Sequence, residues 1–425
     1  MKLLILNAQV CDSKSDFNGK ICDILIKDGF VEDIQSSSKK AFVSVSKSYQ
    51  IFDAEKALIS NAWVDMRADF CDPGHEERET LVTGSKAAIA GGFAHVALLP
   101  STDPACDKKT GFEYISAQNK NLPVNVYPYG CISQNREGKE LAELYDMFQA
   151  GALAFTDANR PVHHAGLQLR ALLYSKIFGG LILSSPDEST ISAGGRMHEG
   201  ETSTYLGMKG IPSIAEEIRI MRDLELTKYA GSKIHFSHIS TKASVELIRK
   251  AKKAGIQVTC DVAVANLCFT DEVLSDYNSN FKVYPPLRGK SDQKALWEGL
   301  VDGTIDAICS NHHPQNLENK AVEFEYALPG MNTLETVLAM IVKSKPKNVE
   351  WEHIIPALTF KPASILNIQT DFIQIGAKVD LTVFNPNKNW VYNKSRSKST
   401  NSPLFNQTLT GKIFAVYVKD QIHYN

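Results

Sequence analysis

Three polar residues early in the chain sit at a spacing that could do chemistry. In Trp63-Val64-Asp65-Met66-Arg67-Ala68-Asp69-Phe70, Asp65, Arg67 and Asp69 take every second position, the strand period that points all three to one face. Further along stand Asp157 in Ala154-Phe155-Thr156-Asp157, His238 in His235-Phe236-Ser237-His238, and the run Ser310-Asn311-His312-His313-Pro314. Carboxylates and a histidine gathered on a divalent ion lower the pKa of a bound water and make it a hydrolytic nucleophile. Asp69, Asp157 and His238 are of the residue types that could hold such an ion. Arg67 opposes this, because a permanent cation close to a dication is strongly repelled. The competing reading makes Arg67 a buried partner of Asp157, and of Asp69, supplying the charge that a metal would otherwise bring. His238 stands between ligand and hydrogen-bonded core histidine, and the core reading is preferred where co-ligands are lacking. His312 and His313 are adjacent in a strand, point to opposite faces and are not a ligand pair. Cys71 has no base near it in sequence, which makes a nucleophile there the weaker reading. His163-His164 follow an Asn-Arg-Pro turn and read as a surface loop.

The elements that must position these residues follow from the pattern. The strand-like Ala62–Phe70 run is broken by Asp72-Pro73-Gly74. An amphipathic helix from about Glu77 to Ala90 follows, ended by Gly91-Gly92, and then a short apolar strand, His95 to Leu99. That is a β-α-β unit. Further apolar runs at Val124–Tyr127, Ala152–Thr156, Gly180–Leu183, Lys233–Ser237, Gln257–Val262 and Thr304–Cys309 alternate with helical patterns, among them Glu216–Ala230 and Lys242–Ala254. Such alternation predicts a parallel sheet wrapped by helices: a (β/α)8 TIM barrel over 57–368. Residues 1–56 and 369–425 read as β-rich, with a polar loop at 36–40 and a Ser/Lys-rich loop from Asn393 to Ser402 expected to be mobile. The two ends are expected to form one composite β-sandwich.

Composition bounds the rest. The 425 residues carry 43% hydrophobic and 22% charged residues and a formal charge of −2, which gives no electrostatic case for nucleic acid or a membrane surface. No apolar run approaches the roughly 20 residues that span a bilayer. Eight cysteines without CxxC pairing fit reduced, buried thiols. With an opening stretch that lacks a signal-peptide pattern, they lead to the expectation of a cytoplasmic protein.

The order of motifs carries a resemblance. Asp72-Pro73-Gly74, Glu79…Thr83, Ala87-Ala88…Gly91-Gly92-Phe93 and Pro100-Ser101-Thr102-Asp103-Pro104 open it. Met197-His198-Glu199-Gly200, His235 to Thr241, Tyr284-Pro285-Pro286-Leu287-Arg288, Asp302-Gly303-Thr304, Pro329-Gly330-Met331, Lys361-Pro362-Ala363 and Asn401-Ser402-Pro403 continue it along nearly the whole chain. Together they resemble dihydroorotases, cyclic-amide hydrolases of the amidohydrolase superfamily, more than hydantoinases or ureases.

The resemblance implies a barrel with a two-ended β-sandwich, zinc in its mouth, and interconversion of dihydroorotate and carbamoyl-aspartate in pyrimidine biosynthesis. It implies that Arg67 and Asp69 stand where that family has a metal-binding H-x-H pair. Ser185 replaces a further histidine, Asp157 and His238 are kept, and Asn311 stands in place of the general-base aspartate. On the substrate side Cys71, Ser101, Tyr284 and Gln315 occupy altered ring-binding positions, and Met197-His198-Glu199 forms a loop near the mouth with a structural role. The expectation is therefore a non-catalytic homologue with no confident catalytic residue and no bound metal, acting as a binding or scaffold chain. Aspartate transcarbamoylase is its candidate partner, beside self-association as a homo-oligomer. The alternative is an active cyclic-amide hydrolase with a rebuilt single-metal site. A third reading gives Arg67 and Cys71 another chemistry on a small acidic ligand.

Overall fold

The computed structural model describes residues 1–37, 42 and 48–425. Of the polar loop read at 36–40, residues 38–40 lie outside the described residues.

Eight parallel staves close a barrel. Trp63–Ala68 pairs with Phe93–Leu98, which pairs with Asn125–Pro128. Phe155 makes single bridges to Gly130 and to Ile182, so the fourth stave is one residue long. Ile182–Ser184, Lys233–Phe236, Gln257–Ala263 and Ala307–Cys309 follow in parallel register, and the bridge from Ala68 to His312 closes the circle. The staves are buried along most of their length because helices cover them outside and side chains fill them inside.

The helices start and stop where their local chemistry dictates. Leu81–Ala90 is opened by Thr80, whose hydroxyl accepts from the Thr83 N–H, satisfying an otherwise orphaned donor. The helix can lie against the first stave because Gly84 has no side chain: a Cβ there would meet the Phe70 ring at 2.6 Å. Ile214–Ala230 ends at Gly231 in the left-handed conformation, φ 55°, the usual glycine stop. Lys242–Lys253 buries Val245, Ile248 and Ala251 along one face, as its amphipathic spacing predicts.

The two chain ends form a single eight-stranded sheet. Lys2–Val10 pairs antiparallel with Ile21–Lys27, and in parallel first with Gln50–Asp53 and then, past a bulge, with Leu58–Asn61. Leu58–Asn61 in turn pairs with Leu381–Val391, which continues into Thr408–Val418 and Gln421–Tyr424. Leu3, Ile5, Ile24 and Ile59 share one core with Ile373, Val379, Leu381 and Tyr417. Neither end could bury that surface alone.

The Asn393–Ser402 segment differs from the expected mobile loop. It has no regular structure, yet Ser397, Ser399, Asn401 and Ser402 are buried. Ser397 Oγ donates to Glu79, Ser399 Oγ to the Arg78 carbonyl, and Asn401 accepts from the Gln315 N–H. Its serines are polar because they answer buried partners on the barrel, not because they face water.

Candidate functional site at the barrel mouth

At the C-terminal ends of the staves, where barrel sites are built, four non-glycine residues adopt the left-handed conformation. They are Cys71 (φ 59°), Ala158 (φ 53°), His238 (φ 45°) and Asn311 (φ 49°). Such backbone costs on the order of 1 kcal/mol or more each and concentrates at functional sites.

Arg67 lies in the middle of this ring, 2% exposed. Its Nε donates to Asn311 Oδ1 at 3.0 Å and its Nη2 donates to Asn159 Oδ1. Asn311 passes the chain on, its Nδ2 donating to the Tyr284 carbonyl at 3.0 Å. The expected ion pair with Asp157 is not formed: among the described residues the Arg67 guanidinium has amide partners only. Asp157 is already engaged, accepting from the Ile132 and Ser133 N–H groups at 2.8 and 3.0 Å and from the Ser133 hydroxyl. Burial raises its pKa against those donors and against nearby Arg136. A local turn has taken the carboxylate that charge-matching assigned to Arg67.

Asp69 is likewise paired elsewhere. Its carboxylate accepts from the Cys71 N–H at 3.0 Å and the Ser101 hydroxyl at 3.0 Å, and lies 3.3 Å from His313 Nδ1. Burial alone would raise its pKa, but the His313 hydrogen bond and charge, Arg78 and the Cys71 N–H outweigh burial and hold it low. His312 points the other way, 3.4 Å from Glu79 Oε2, so the two histidines do face opposite sides. Cys71 is buried, and burial together with Asp69 pushes its thiol well up. It stays protonated, which removes the nucleophile reading.

His238 sits beside this group, 1% exposed, its ring edge-on to Tyr284 with centroids 6.0 Å apart. Its backbone N–H donates to Asp261 at 2.6 Å, but neither ring nitrogen has a partner among the described residues. Burial first, and then the Arg67 charge, drive its pKa well below 6.5, so it is neutral. Ser185, one residue past the neighbouring stave, is 4% exposed and its Oγ is also unpartnered. Tyr284 is half-buried, and burial and Asp187 push its phenol up. Gln315 stands apart: its Nε2 donates to the Pro329 carbonyl at 3.1 Å and its Oε1 accepts from Asn319 at 3.0 Å, and it lines a 520 Å³ surface pocket with Asn316, Lys320 and Asn401. Met197-His198 is not loop but a two-residue strand paired with Gly210–Ile211, with His198 Nδ1 3.2 Å from Arg288 Nη1. His163 and His164 are exposed, and His164 caps the helix Ala165–Ile177.

Several members of this site were not read from the sequence. Asn159 was missed, although a polar residue two past a stave-end aspartate was the available signal. Asp261, held 2.8 Å from His235 Nε2 and accepting from Cys309 Sγ, was missed because it stands inside a stave, Gln257–Ala263, and not at the stave end where a site residue is looked for. Glu79 was only a motif position.

Zinc needs three or four deprotonated donors converging on one point. Among the described residues no group of three or more His, Cys, Asp or Glu side chains is so placed. Asp69, Asp157 and His238 are not brought together as a donor set, and the Arg67 charge acts on both Asp69 and His238. These residues do not fit a bound dication.

Comparison with known proteins bears on ancestry. A family described as dihydro-orotase-like matches residues 56–244, and the amidohydrolase family matches residues 186–422. A protein of Syntrophus aciditrophicus named dihydroorotase is 39% identical over 100% of this chain and 99% of its own length. One of Acetivibrio thermocellus with the same name is 39% identical over 99% and 98%. Among solved structures, an L-hydantoinase (dihydropyrimidinase) from Arthrobacter aurescens superposes with a TM-score of 0.85 at 24% identity, over 99% of this chain and 95% of that one. At that identity the likeness speaks for the fold. No helix among the described residues is long and apolar enough to cross a membrane.

Proposed function

This chain belongs to the dihydroorotase-like amidohydrolases, and from that premise we propose that it is a dihydroorotase-like protein of pyrimidine biosynthesis that binds rather than hydrolyses. The observation that carries the reading is the occupant of the seat. Arg67, tied to Asn311 and Asn159, fills the place where hydrolysis requires a metal-activated water. Asn311 adds to it, since an amide engaged with Arg67 and the Tyr284 carbonyl has no lone pair basic enough to take a proton. The chain then serves as a scaffold or binding subunit, with aspartate transcarbamoylase as the candidate partner and a second copy of itself as another.

A second reading has its own support. The full-length relatives at 39% identity are named dihydroorotase, which favours an active cyclic-amide hydrolase with a rebuilt site. One experiment separates the two. Elemental analysis of the untagged, chelator-dialysed protein, with a dihydroorotate turnover assay before and after zinc addition, is expected to find neither stoichiometric zinc nor turnover. Retained zinc with turnover overturns the binding reading in favour of the hydrolase.

A further inference from the structure

We propose that the seat between Arg67, His238 and Ser185 is a binding site for a small oxyanion, a carboxylate or phosphate group that enters where a metal would lie. The inference rests on the metal-free reading above and adds the ligand's chemical class.

Arg67 is a buried cation, yet every carboxylate near it already has its own partner. Asp69 has His313, Asp261 has His235, and Asp157 has the Ser133 turn. What Arg67 receives instead is two neutral amide oxygens. A buried charge without a counter-charge is costly, and native proteins rarely leave one. The guanidinium has five N–H donors, and its two protein hydrogen bonds leave the rest of the fork without an acceptor among the described residues. A planar fork of this kind matches the two oxygens of a carboxylate or phosphate.

The second observation is independent of Arg67. His238 Nδ1, His238 Nε2 and Ser185 Oγ are all buried without a hydrogen-bond partner among the described residues. The two residues sit side by side, because Ser184 and Phe236 are in register on adjacent staves and the Ser237 N–H donates to the Ser184 carbonyl. A neutral histidine offers one N–H and a serine one O–H, both donors an oxyanion accepts. Groups left this way in a buried setting call for a ligand or solvent that the protein itself does not supply.

The surroundings suit a small anion reaching the seat from outside. Asn159 is exposed, and Asn311 and Tyr284 are half-buried, so the group lies just below the surface. Arg136, half-buried, donates from Nε to the Asp157 carbonyl, and exposed Arg160 adds to the positive field nearby.

The test uses the full chain after chelator dialysis. Thermal unfolding and calorimetric titration are run with sodium phosphate, sodium acetate and sodium succinate, each against sodium chloride at equal ionic strength. At least one oxyanion is expected to raise the midpoint saturably where chloride does not. A phosphate-only response identifies a phosphate group as the ligand chemistry, and an acetate or succinate response identifies a carboxylate. Arg67→Gln and Ser185→Ala are each expected to weaken the binding about tenfold or more, since each deletes a donor to a charged acceptor. If Arg67→Gln does not fold, Ser185→Ala, which removes one oxygen, decides alone. Oxyanion responses equal to chloride, or binding unchanged in Ser185→Ala and Arg67→Gln, overturn the site. Zinc surviving the dialysis would instead overturn the metal-free reading, whatever the anions do.

Discussion

Two buried polar clusters flank the barrel mouth, and they close their hydrogen-bond accounts differently. Glu79, which is fully buried, has both of its carboxylate oxygens answered. Its carboxylate accepts from the Thr83 and Ser397 hydroxyls and from the Lys398 N–H, and His312 lies 3.4 Å away. Burial would raise its pKa, but the His312 hydrogen bond and charge and the two hydroxyls hold it below the ordinary value. Around Arg67 the cation is paired with no carboxylate among the described residues, and His238 and Ser185 keep atoms unpartnered there. Burial is alike in the two places, so burial does not separate structure from function. Satisfaction does. The closed cluster fastens the Asn393–Ser402 segment to the barrel, whereas the open one has unmet capacity for something outside the chain.

The largest effect should come from opening the closed cluster. Glu79→Ala strands His312 and Ser397 without their partner, and breaking such a buried pair from one side costs about 3–5 kcal/mol. Urea unfolding should show the loss, and limited proteolysis should begin to cut within 393–402. A variant as stable as the parent, with that segment intact, would remove the distinction between the two clusters.

Arg67→Met should behave in the opposite sense. It removes a buried cation that lacks a counter-charge, so in chloride alone stability should hold or rise, by up to about 2 kcal/mol. A loss as large as that for Glu79→Ala would mean that Arg67 is as fully paired as Glu79, and the comparison would fail.

Lys320 tests separately what a buried cation costs. Lys320 is 5% exposed and donates to the Leu328 and Gly330 carbonyls at 3.0 and 3.1 Å. Burial, aided by Lys282, pushes its pKa down from 10.5 to about 7. Between those two values the native chain binds fewer protons at this site than the unfolded chain, so its contribution to stability rises with pH across the window and is lost as pH falls to about 7. Lys320→Met should flatten that part of the profile, read as the difference between the urea midpoints of parent and variant at pH 7 and pH 10. An unchanged slope would place the titration elsewhere.

The barrel was legible in the sequence because its signals are local. Apolar runs mark the staves, the spacing of Val245, Ile248 and Ala251 marks a helix face, and Gly231 marks a stop. The site was legible only as a set of positions. Asp65, Arg67 and Asp69 share a strand period, so their common burial followed from alternation. The partners did not. Arg67 was matched by charge to Asp157, but Ser133, in the preceding turn, takes that carboxylate. The Ser/Lys-rich segment near the C-terminus was matched by composition to solvent, but Glu79, 318 residues away from Ser397, takes its hydroxyl.

Residue type and spacing by themselves determined which groups stand at the stave ends, that a guanidinium and an amide are among them, and that the two β-rich ends flank a barrel. Tertiary structure alone decided who pairs with whom. A hydrogen bond is short and directional, and its partner is chosen by which stave lies next to which. Adjacency of Ser184 and Phe236, or of Ala68 and His312, is a property of the closed barrel, and no periodicity along the chain encodes it.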